Sequence, residues 1–243
     1  MNTEIFTLND INTPQILAEK PGYLIVYKPP KMHSAPGSGY SLADWCSALF
    51  PETSGIYRGK ERGGLIYRLD FETQGLLLIA RNQMTFDKML EQQGRGEIGK
   101  IYSAIVSKSQ KKPAGFPPFC AEFFPDSEFP QIIESSFRPF GPGRREVRPL
   151  AENRGKIYRT EIQEKQKTEE NLFLKIKIMK GFRHQIRCHL AWAGYPVLND
   201  PVYGTEKTGE GILALRAQEI NFTDPVSGEM ICCSLPTLGP SDI

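Results

Sequence analysis

Arg68-Leu69-Asp70-Phe71-Glu72-Thr73-Gln74-Gly75-Leu76-Leu77-Leu78-Ile79-Ala80 places three charged side chains and a threonine–glycine pair directly before a five-residue apolar run. A run this apolar, with no polar residue on either face, reads as a strand buried on both sides. Thr73 and Gly75 then shape a turn that brings Arg68 and Asp70 to the border of the core. Charges in such a place are paired, desolvated or functional. On residue types alone the plainer reading is a structural ion pair tying the turn to the sheet.

Working outward, Tyr23–Tyr27 is a second apolar, β-rich segment, and Lys28-Pro29-Pro30 ends it in an extended turn. Ser41–Phe50 suits a short helix capped by Ser41 and ended by Pro51. Met84–Gln92 places Phe86, Met89 and Leu90 at helical spacing, and Lys100–Val106 reads as the next strand. Leu172–Met179 alternates in its second half, with Leu174, Ile176 and Ile178 facing one way and Lys175 and Lys177 the other. Arg183–Trp192 reads as a helix ended by Gly194 and Pro196, and strands are expected at Ile212–Arg216 and Glu219–Phe222 before a Pro225–Gly228 turn. Strands dominate and helices are few and scattered, so the expected class is α+β rather than a doubly wound sheet.

The segment from Pro113 to Pro130 holds five prolines and five phenylalanines in 18 residues, a density that neither helix nor strand tolerates, and is expected to be a long loop or lid. Arg138–Arg159 then carries seven Lys or Arg (138, 144, 145, 148, 154, 156 and 159) against Glu146 and Glu152, a net +5 within a chain whose total is only +2. A nearly neutral total excludes a histone-like polycation but leaves room for one basic, nucleic-acid-facing strip. With 243 residues, 40% hydrophobic and 24% charged, the chain reads as one large globular domain over 1–243 or two small ones, with a Pro/Phe-rich and basic insertion around 110–156. The N-terminus lacks a basic start and apolar stretch, and the five cysteines (46, 120, 188, 232, 233) form no CxxC pair. The expectation is a cytoplasmic, reduced protein with no membrane segment.

Several patterns fail on context. Gly94-Arg-Gly96-Glu-Ile-Gly99 has the dinucleotide spacing but leaves a helix and enters a strand, the reverse of a nucleotide-binding turn. The overlapping phosphate-loop reading has Ile101 where Ser or Thr would hold magnesium. These glycines make a helix-to-strand turn instead. His184 and His189 lie five apart, off the zinc-helix spacing, and no Gly-x-Ser-x-Gly elbow occurs. No metal site is expected.

A second cluster, Gly181-Phe182-Arg183-His184-Gln185-Ile186-Arg187-Cys188-His189-Leu190, crowds ionisable and amide side chains at one helix start. A solvated face explains Arg183 well, and His184, Gln185 and Arg187 less well, because they flank residues that should point inward. At this point Tyr67–Asn82 resembles the HRLDxxTSGLLLxAK signature of the RluA-type pseudouridine synthases. Gly181–Gly194 followed by Asp200-Pro201-Val202-Tyr203-Gly204 is similar to that family's GRxHQIRxHLxxxGxPIxGDxxYG. Lys100-Ile101-Tyr102 resembles its KxY element, Ile25–Pro29 its VxNKP strand, and Phe222–Glu229 its FxHPxTGE. The sequence departs at Tyr67 (usually His), Gln74 (usually Ser), Lys31 (usually Gly) and Phe182 (usually Arg). The matching stretch starts near Ile16, so the S4 domain that the family often carries is not expected ahead of it.

The resemblance implies one catalytic domain around a long, mostly antiparallel mixed β-sheet with flanking helices and a central active-site cleft. It also implies isomerisation of a uridine in tRNA or rRNA to pseudouridine, without cofactor or metal, by a monomer acting on an RNA stem-loop. Asp70 would be the carboxylate that forms a covalent intermediate, Tyr102 the ring stacked on the flipped base, and Arg187 the charge partner of the carboxylate. Arg68 would contact RNA at the vacated site, Arg144, Arg145, Arg148, His184 and Gln185 would bind RNA, and Ile186 and Leu190 would wall the pocket. The alternatives are a non-catalytic RNA-binding protein that retains the fold, and a hydrolase using Asp70, for which Glu72 is a poor second acid.

Overall fold

The computed structural model describes residues 3–37, 39–58, 61–111, 113–119, 129–152, 154–168, 170–204, 211–239 and 242–243. In chain order its strands and α-helices are β1 (Glu4–Ile5), β2 (Gln15–Glu19), β3 (Tyr23–Lys28), α1 (Leu42–Leu49), β4 (Tyr57–Arg58), β5 (Glu61–Arg62), β6 (Gln74–Ala80) and α2 (Gln83–Arg95). There follow β7 (Gly99–Val106), β8 (Gln131–Ser135), β9 (Phe137–Phe140), β10 (Glu146–Pro149), β11 (Tyr158–Lys167), β12 (Leu172–Ile178), α3 (Gln185–Trp192), β13 (Leu215–Thr223) and β14 (Met230–Ser234). The chain divides into two compact units, Met1–Lys100 with Arg216–Thr237, and Ile101–Leu215 with Leu238–Ile243.

In the first unit the two apolar runs of the sequence become neighbouring strands. Every residue of β3 and of β6 is buried, as expected for strands covered on both faces. They pair antiparallel with Tyr23 opposite Ala80 and Lys28 opposite Gly75. β2 pairs antiparallel with β3, β13 pairs parallel with β6, β14 pairs antiparallel with β13, and β1 adds parallel to β14. Tyr23, Ile25, Tyr27, Leu76, Leu78, Phe86, Met89, Ile220 and Phe222 form the core between this sheet and α2. α1 starts where expected: Ser41 accepts from Asp44 N, and the Asp44 carboxylate accepts from Ser41 N, closing a capping box. α2 is capped by Asn82 and ends at Gly96, whose φ of +77° is the left-handed conformation that favours glycine. The Gly94–Gly99 pattern is therefore a helix end leading into β7.

In the second unit the strand order is β7-β12-β11-β8, with antiparallel pairing of β11 to β12 and to β8. β12 alternates as its sequence implies, burying Leu172, Leu174, Ile176 and Ile178 while Lys175 and Lys177 stay half-buried. The first unit mixes mostly antiparallel with some parallel pairing, the second pairs β8, β11 and β12 antiparallel, and the class is α+β as expected.

Four elements differ from the sequence expectation. Residues 212–216 and 219–222 do not form two strands; Leu215–Thr223 runs as one. α3 begins at Gln185 rather than Arg183, because His184 sits in the left-handed region at φ +54° and acts as the N-cap residue. The ten-residue β11, YRTEIQEKQK, reads as polar, and buries Thr160 and Ile162 only once β12 and β8 supply its ladder. The basic stretch 137–149 is a β9–β10 hairpin paired from Phe137–Pro149 to Phe140–Glu146. Of the Pro/Phe-rich segment, residues 113–119 hold neither helix nor strand, whereas 120–128 lie outside the described residues.

Candidate active site

The first unit presents Asp70 on a loop whose backbone is tied down at several points. Because Lys28 ends β3 opposite Gly75 of β6, it reaches the loop that enters β6. Lys28 is fully buried and donates its Nζ protons to the carbonyls of Pro29 (2.9 Å), Met32 (2.7 Å) and Phe71 (3.3 Å). Burial pushes its ammonium down to about 7, against the pull of the Asp70 and Glu72 charges, which favour the protonated form. The buried Ser34 hydroxyl donates to Leu69 O (2.8 Å) and accepts from Leu69 N (3.0 Å), clamping the residue before Asp70 from both sides. Thr73 N donates to Asp70 O at 3.1 Å and closes the turn. Arg68 is exposed and Asp70 half-buried, so the loop holds its backbone inside while presenting these side chains outward. Phe71, 40% exposed, packs on His33 with ring centroids 4.6 Å apart.

The strand behind the loop absorbs both local departures from the family pattern. The Gln74 Oε1 accepts from the Tyr27 hydroxyl (2.8 Å) and from the buried Arg216 guanidinium (Nη2, 3.1 Å), so the longer amide joins β3, β6 and β13. Tyr67 donates its hydroxyl to Leu76 O at 3.2 Å, and the Lys100 ammonium lies 4.8 Å from its ring centroid. Lys100 also donates to Gln93 Oε1 at 2.8 Å, and burial pushes it down to about 7. Gly75 has φ +128°, and a Cβ there would strike the Ala217 backbone of the parallel strand β13.

Tyr102, Arg187, His184, Gln185, Ile186 and Leu190 belong to the second unit. Tyr102, in β7, is 5% exposed. Arg187, in α3, is fully buried, and its Nε and Nη2 donate to Asp200 Oδ2 and Oδ1, both at 2.8 Å. Burial by itself raises the Asp200 pKa. The two Arg187 hydrogen bonds, the Arg187 charge and the N–H groups of Tyr203 and Val202 outweigh it and hold the carboxyl below its usual value. Tyr203, also buried, takes a hydrogen bond from Val147 N (3.1 Å), and its hydroxyl lies 3.1 Å from His184 Nδ1. Its phenol is raised well above the ordinary value, chiefly by burial.

Two residues expected to touch RNA are interior instead. Arg148 is 3% exposed, and its guanidinium is bonded to Ala114 O, Val147 O and the Glu146 carboxylate and covered by the rings of Phe116, Phe140 and Tyr203. It fastens the hairpin to segment 114–116, because a buried guanidinium must be paired. Gln185 is 2% exposed; its Nε2 donates to Arg159 O and Thr160 Oγ1, and its Oε1 accepts from Phe182 N. Arg144 and Arg145 are exposed, and His184 is half-buried. Ile186 and Leu190 are buried at 4% and 0% exposure.

Lys28, Ser34, Asp200, Tyr203 and Arg216 went unassigned from sequence. Asp200 and Tyr203 carry no role in the sequence motif that contains them, and Lys28 reads from sequence as the end of a strand. Arg216 had a usable signal, a lone charge closing the apolar stretch 212–215.

The family model described as RNA pseudouridylate synthase matches residues 22–192, a span containing the Asp70 loop, Tyr102 and all of α3. Among curated relatives, "Uncharacterized RNA pseudouridine synthase YlyB" of Bacillus subtilis is 28% identical over 89% of this chain and 66% of its own length. An uncharacterized RNA pseudouridine synthase of Chloroflexus aurantiacus is 30% identical over 74% of this chain and 52% of its own. "Ribosomal large subunit pseudouridine synthase C" of Buchnera aphidicola is 28% identical over 94% and 69%. The chain thus spans about half to two thirds of the length of these relatives. The solved structure of human RNA pseudouridylate synthase domain containing 1 shares the fold, with TM-score 0.70 and 18% identity over 97% of this chain and 89% of that one. No helix among the described residues is long and apolar enough to cross a membrane.

Proposed function

The chain belongs to the RNA pseudouridylate synthase family, and we propose that it isomerises a uridine of tRNA or rRNA to pseudouridine. The observation that carries this reading is Asp70, half-buried on a loop that Lys28 and Ser34 hold by its carbonyls, inside the span the family profile matches. The names of relatives such as the Buchnera protein favour ribosomal RNA as the substrate.

In the proposed reaction the uridine leaves its stack, at a cost of about a few kcal/mol. Asp70 attacks the ribose or the base through a carboxyl oxygen and forms a covalent intermediate while the N1–C1′ bond breaks. The base turns, C5 bonds to C1′, the bond to Asp70 breaks and its electron pair returns to the carboxylate, the C5 proton leaves to water, and N1 takes up a proton. Atoms and charge balance with no group gained or lost. Tyr102 is assigned the stacking role on the flipped base and Arg187 that of the charge partner, with Asp200 fixing the plane and direction of its guanidinium through two bonds. Arg68, exposed beside Asp70, is assigned the contact with the RNA at the vacated position.

Tritium release from RNA labelled at uridine C5, followed by mapping of pseudouridine, tests this. Wild type is expected to release tritium, and Asp70→Asn to release none while keeping the wild-type circular dichroism and melting curve. A folded Asp70→Asn protein that modifies RNA at the wild-type rate refutes the assignment of Asp70. Free uracil among the products would point to the hydrolase instead.

A further inference from the structure

Phe182 stands where the family pattern has arginine, and in the second unit it is the outer member of a stack of three rings. His189 lies at the bottom, fully buried, held by Ser135 Oγ (2.9 Å from Nε2) and Thr160 Oγ1 (2.8 Å from Nδ1). Phe137 stacks on it with centroids 4.9 Å apart and planes 29° apart. Phe182 stacks on Phe137 in turn, at 5.0 Å and 5°, and is itself 36% exposed. Tyr158 leans against both, 5.9 Å from Phe137 and 4.9 Å from Phe182.

The stack is built rather than incidental. Phe182 N donates to the buried Gln185 side chain at 3.0 Å, which fixes the backbone that carries the outer ring. Cations surround it: the Lys156 ammonium lies 5.0 Å from the Tyr158 centroid, and the exposed Arg183, adjacent to Phe182, donates to Arg144 O, tying the Arg144–Arg145 turn to this place. A partly exposed aromatic side chain with cations on the neighbouring segments can hold an unpaired nucleobase by stacking and its phosphates by charge. An arginine at 182 would offer charge here, whereas Phe182 offers a π face that continues the stack.

We infer that Phe182, backed by Phe137 and Tyr158, is a stacking platform for an unpaired nucleobase of the RNA, outside the uridine that Asp70 attacks. This rests on the RNA-modifying reading above and extends it: the substrate carries a single-stranded nucleotide beside the modified position, and every base, uridine or not, can occupy the platform.

The test therefore uses a uridine-free probe, a single-stranded adenosine 12-mer, beside a 12-base-pair RNA duplex, with affinities from fluorescence anisotropy at low salt. Stacking on one aromatic ring typically accounts for a loss of roughly 5- to 140-fold on truncation. Phe182→Ala and Phe182→Leu, the latter keeping apolar cover over Phe137, are expected to weaken the 12-mer by about that range and to leave duplex affinity unchanged. Phe182→Tyr is expected to restore single-strand binding, and Phe182→Trp to add a fluorescence signal that the 12-mer quenches. The proposal is overturned if wild type does not bind the 12-mer, if Phe182→Leu binds it like wild type, or if Phe182→Tyr fails to restore it. Tritium release by the same proteins separates the two readings. Normal release with an inert Phe182 removes only the platform, and no release with a Phe182-dependent affinity removes only the isomerase.

Discussion

Replacing Asp200 by Asn tests the buried pair that holds Arg187. In the native protein Asp200 Oδ1 accepts from Arg187 Nη2, Val202 N and Tyr203 N at 2.8–3.0 Å, and Oδ2 accepts from Arg187 Nε at 2.8 Å. Asparagine can keep the Oδ1 set, but its amide group then faces Nε with donor against donor. Both side chains are fully buried, so the guanidinium loses the carboxylate charge that faces its Nε and Nη2, with no bulk water to replace it. One charge-assisted bond contributes about 1.5–3 kcal/mol, and leaving one partner of a buried pair uncompensated costs about 3–5 kcal/mol in all. Asp200→Asn is therefore expected to lose about 3–5 kcal/mol in urea unfolding at pH 7, a large share of a stability of roughly 5–15 kcal/mol. Replacing Arg187 with Met and Asp200 with Leu together removes both charges and should recover most of that loss. The pH dependence has a definite sign. The Asp200 carboxyl titrates lower in the folded than in the unfolded chain, so its contribution is complete above about pH 4 and disappears as pH falls through the folded value. The gap between wild type and Asp200→Asn should accordingly narrow in acid. A loss under about 1 kcal/mol at pH 7, or a double variant no more stable than the single one, refutes the reasoning.

Two further outcomes are expected. Gly75→Ala forces a side chain at φ +128° into the Ala217 backbone, so it should cost at least about 2 kcal/mol in urea unfolding; a change within about 0.5 kcal/mol would refute that account of the β6–β13 contact. Lys100 is held near 7, far below its unfolded value, so between pH 7 and 8.5 the unfolded chain binds the extra proton and stability climbs as pH rises. Each buried lysine adds a slope of at most about 1.4 kcal/mol per pH unit. Lys100→Met should lower that slope by the Lys100 share and leave the parts that Lys28 and the buried thiols supply, and a slope equal to that of wild type would refute the assignment.

The parts of the fold that depend on local pattern were legible. β3 and β6 announce themselves as apolar runs, α1 by its serine cap, and the end of α2 by glycine, because each signal acts within a few residues of the structure it specifies. β11 was not legible: only Thr160 and Ile162 of its ten residues are buried, and the ladder that makes it a strand comes from residues 131–135 and 172–177. Site residues follow the same division. Asp70 stands out beside an apolar strand, whereas Arg148 reads as one more surface cation. Its carbonyl partner Ala114 and two of its covering rings, Phe116 and Tyr203, lie more than thirty residues away in the chain. Gln185 was misread for a similar reason, since its partners are in β11.

The charge of the basic stretch needs the same correction. Of its seven cations, Arg148 is buried, Arg154 pairs with Glu152, and Arg159 pairs with Glu134 and Glu161. Arg138 donates to Gly115 O and lies over the ring of Phe140. The net +5 of the sequence is therefore partly spent inside the fold, and the exposed remainder, Arg144, Arg145 and Lys156, lies beside or on the segments that meet at Phe182 and Tyr158. Exposed pairs such as Arg154–Glu152 contribute little stability, at most about 1 kcal/mol, yet they lower the local potential that RNA would meet. Charge from this stretch alone then supports weak and salt-sensitive binding. Tight recognition then has to come from contacts that salt does not screen, and on this unit the exposed aromatic stack is such a contact.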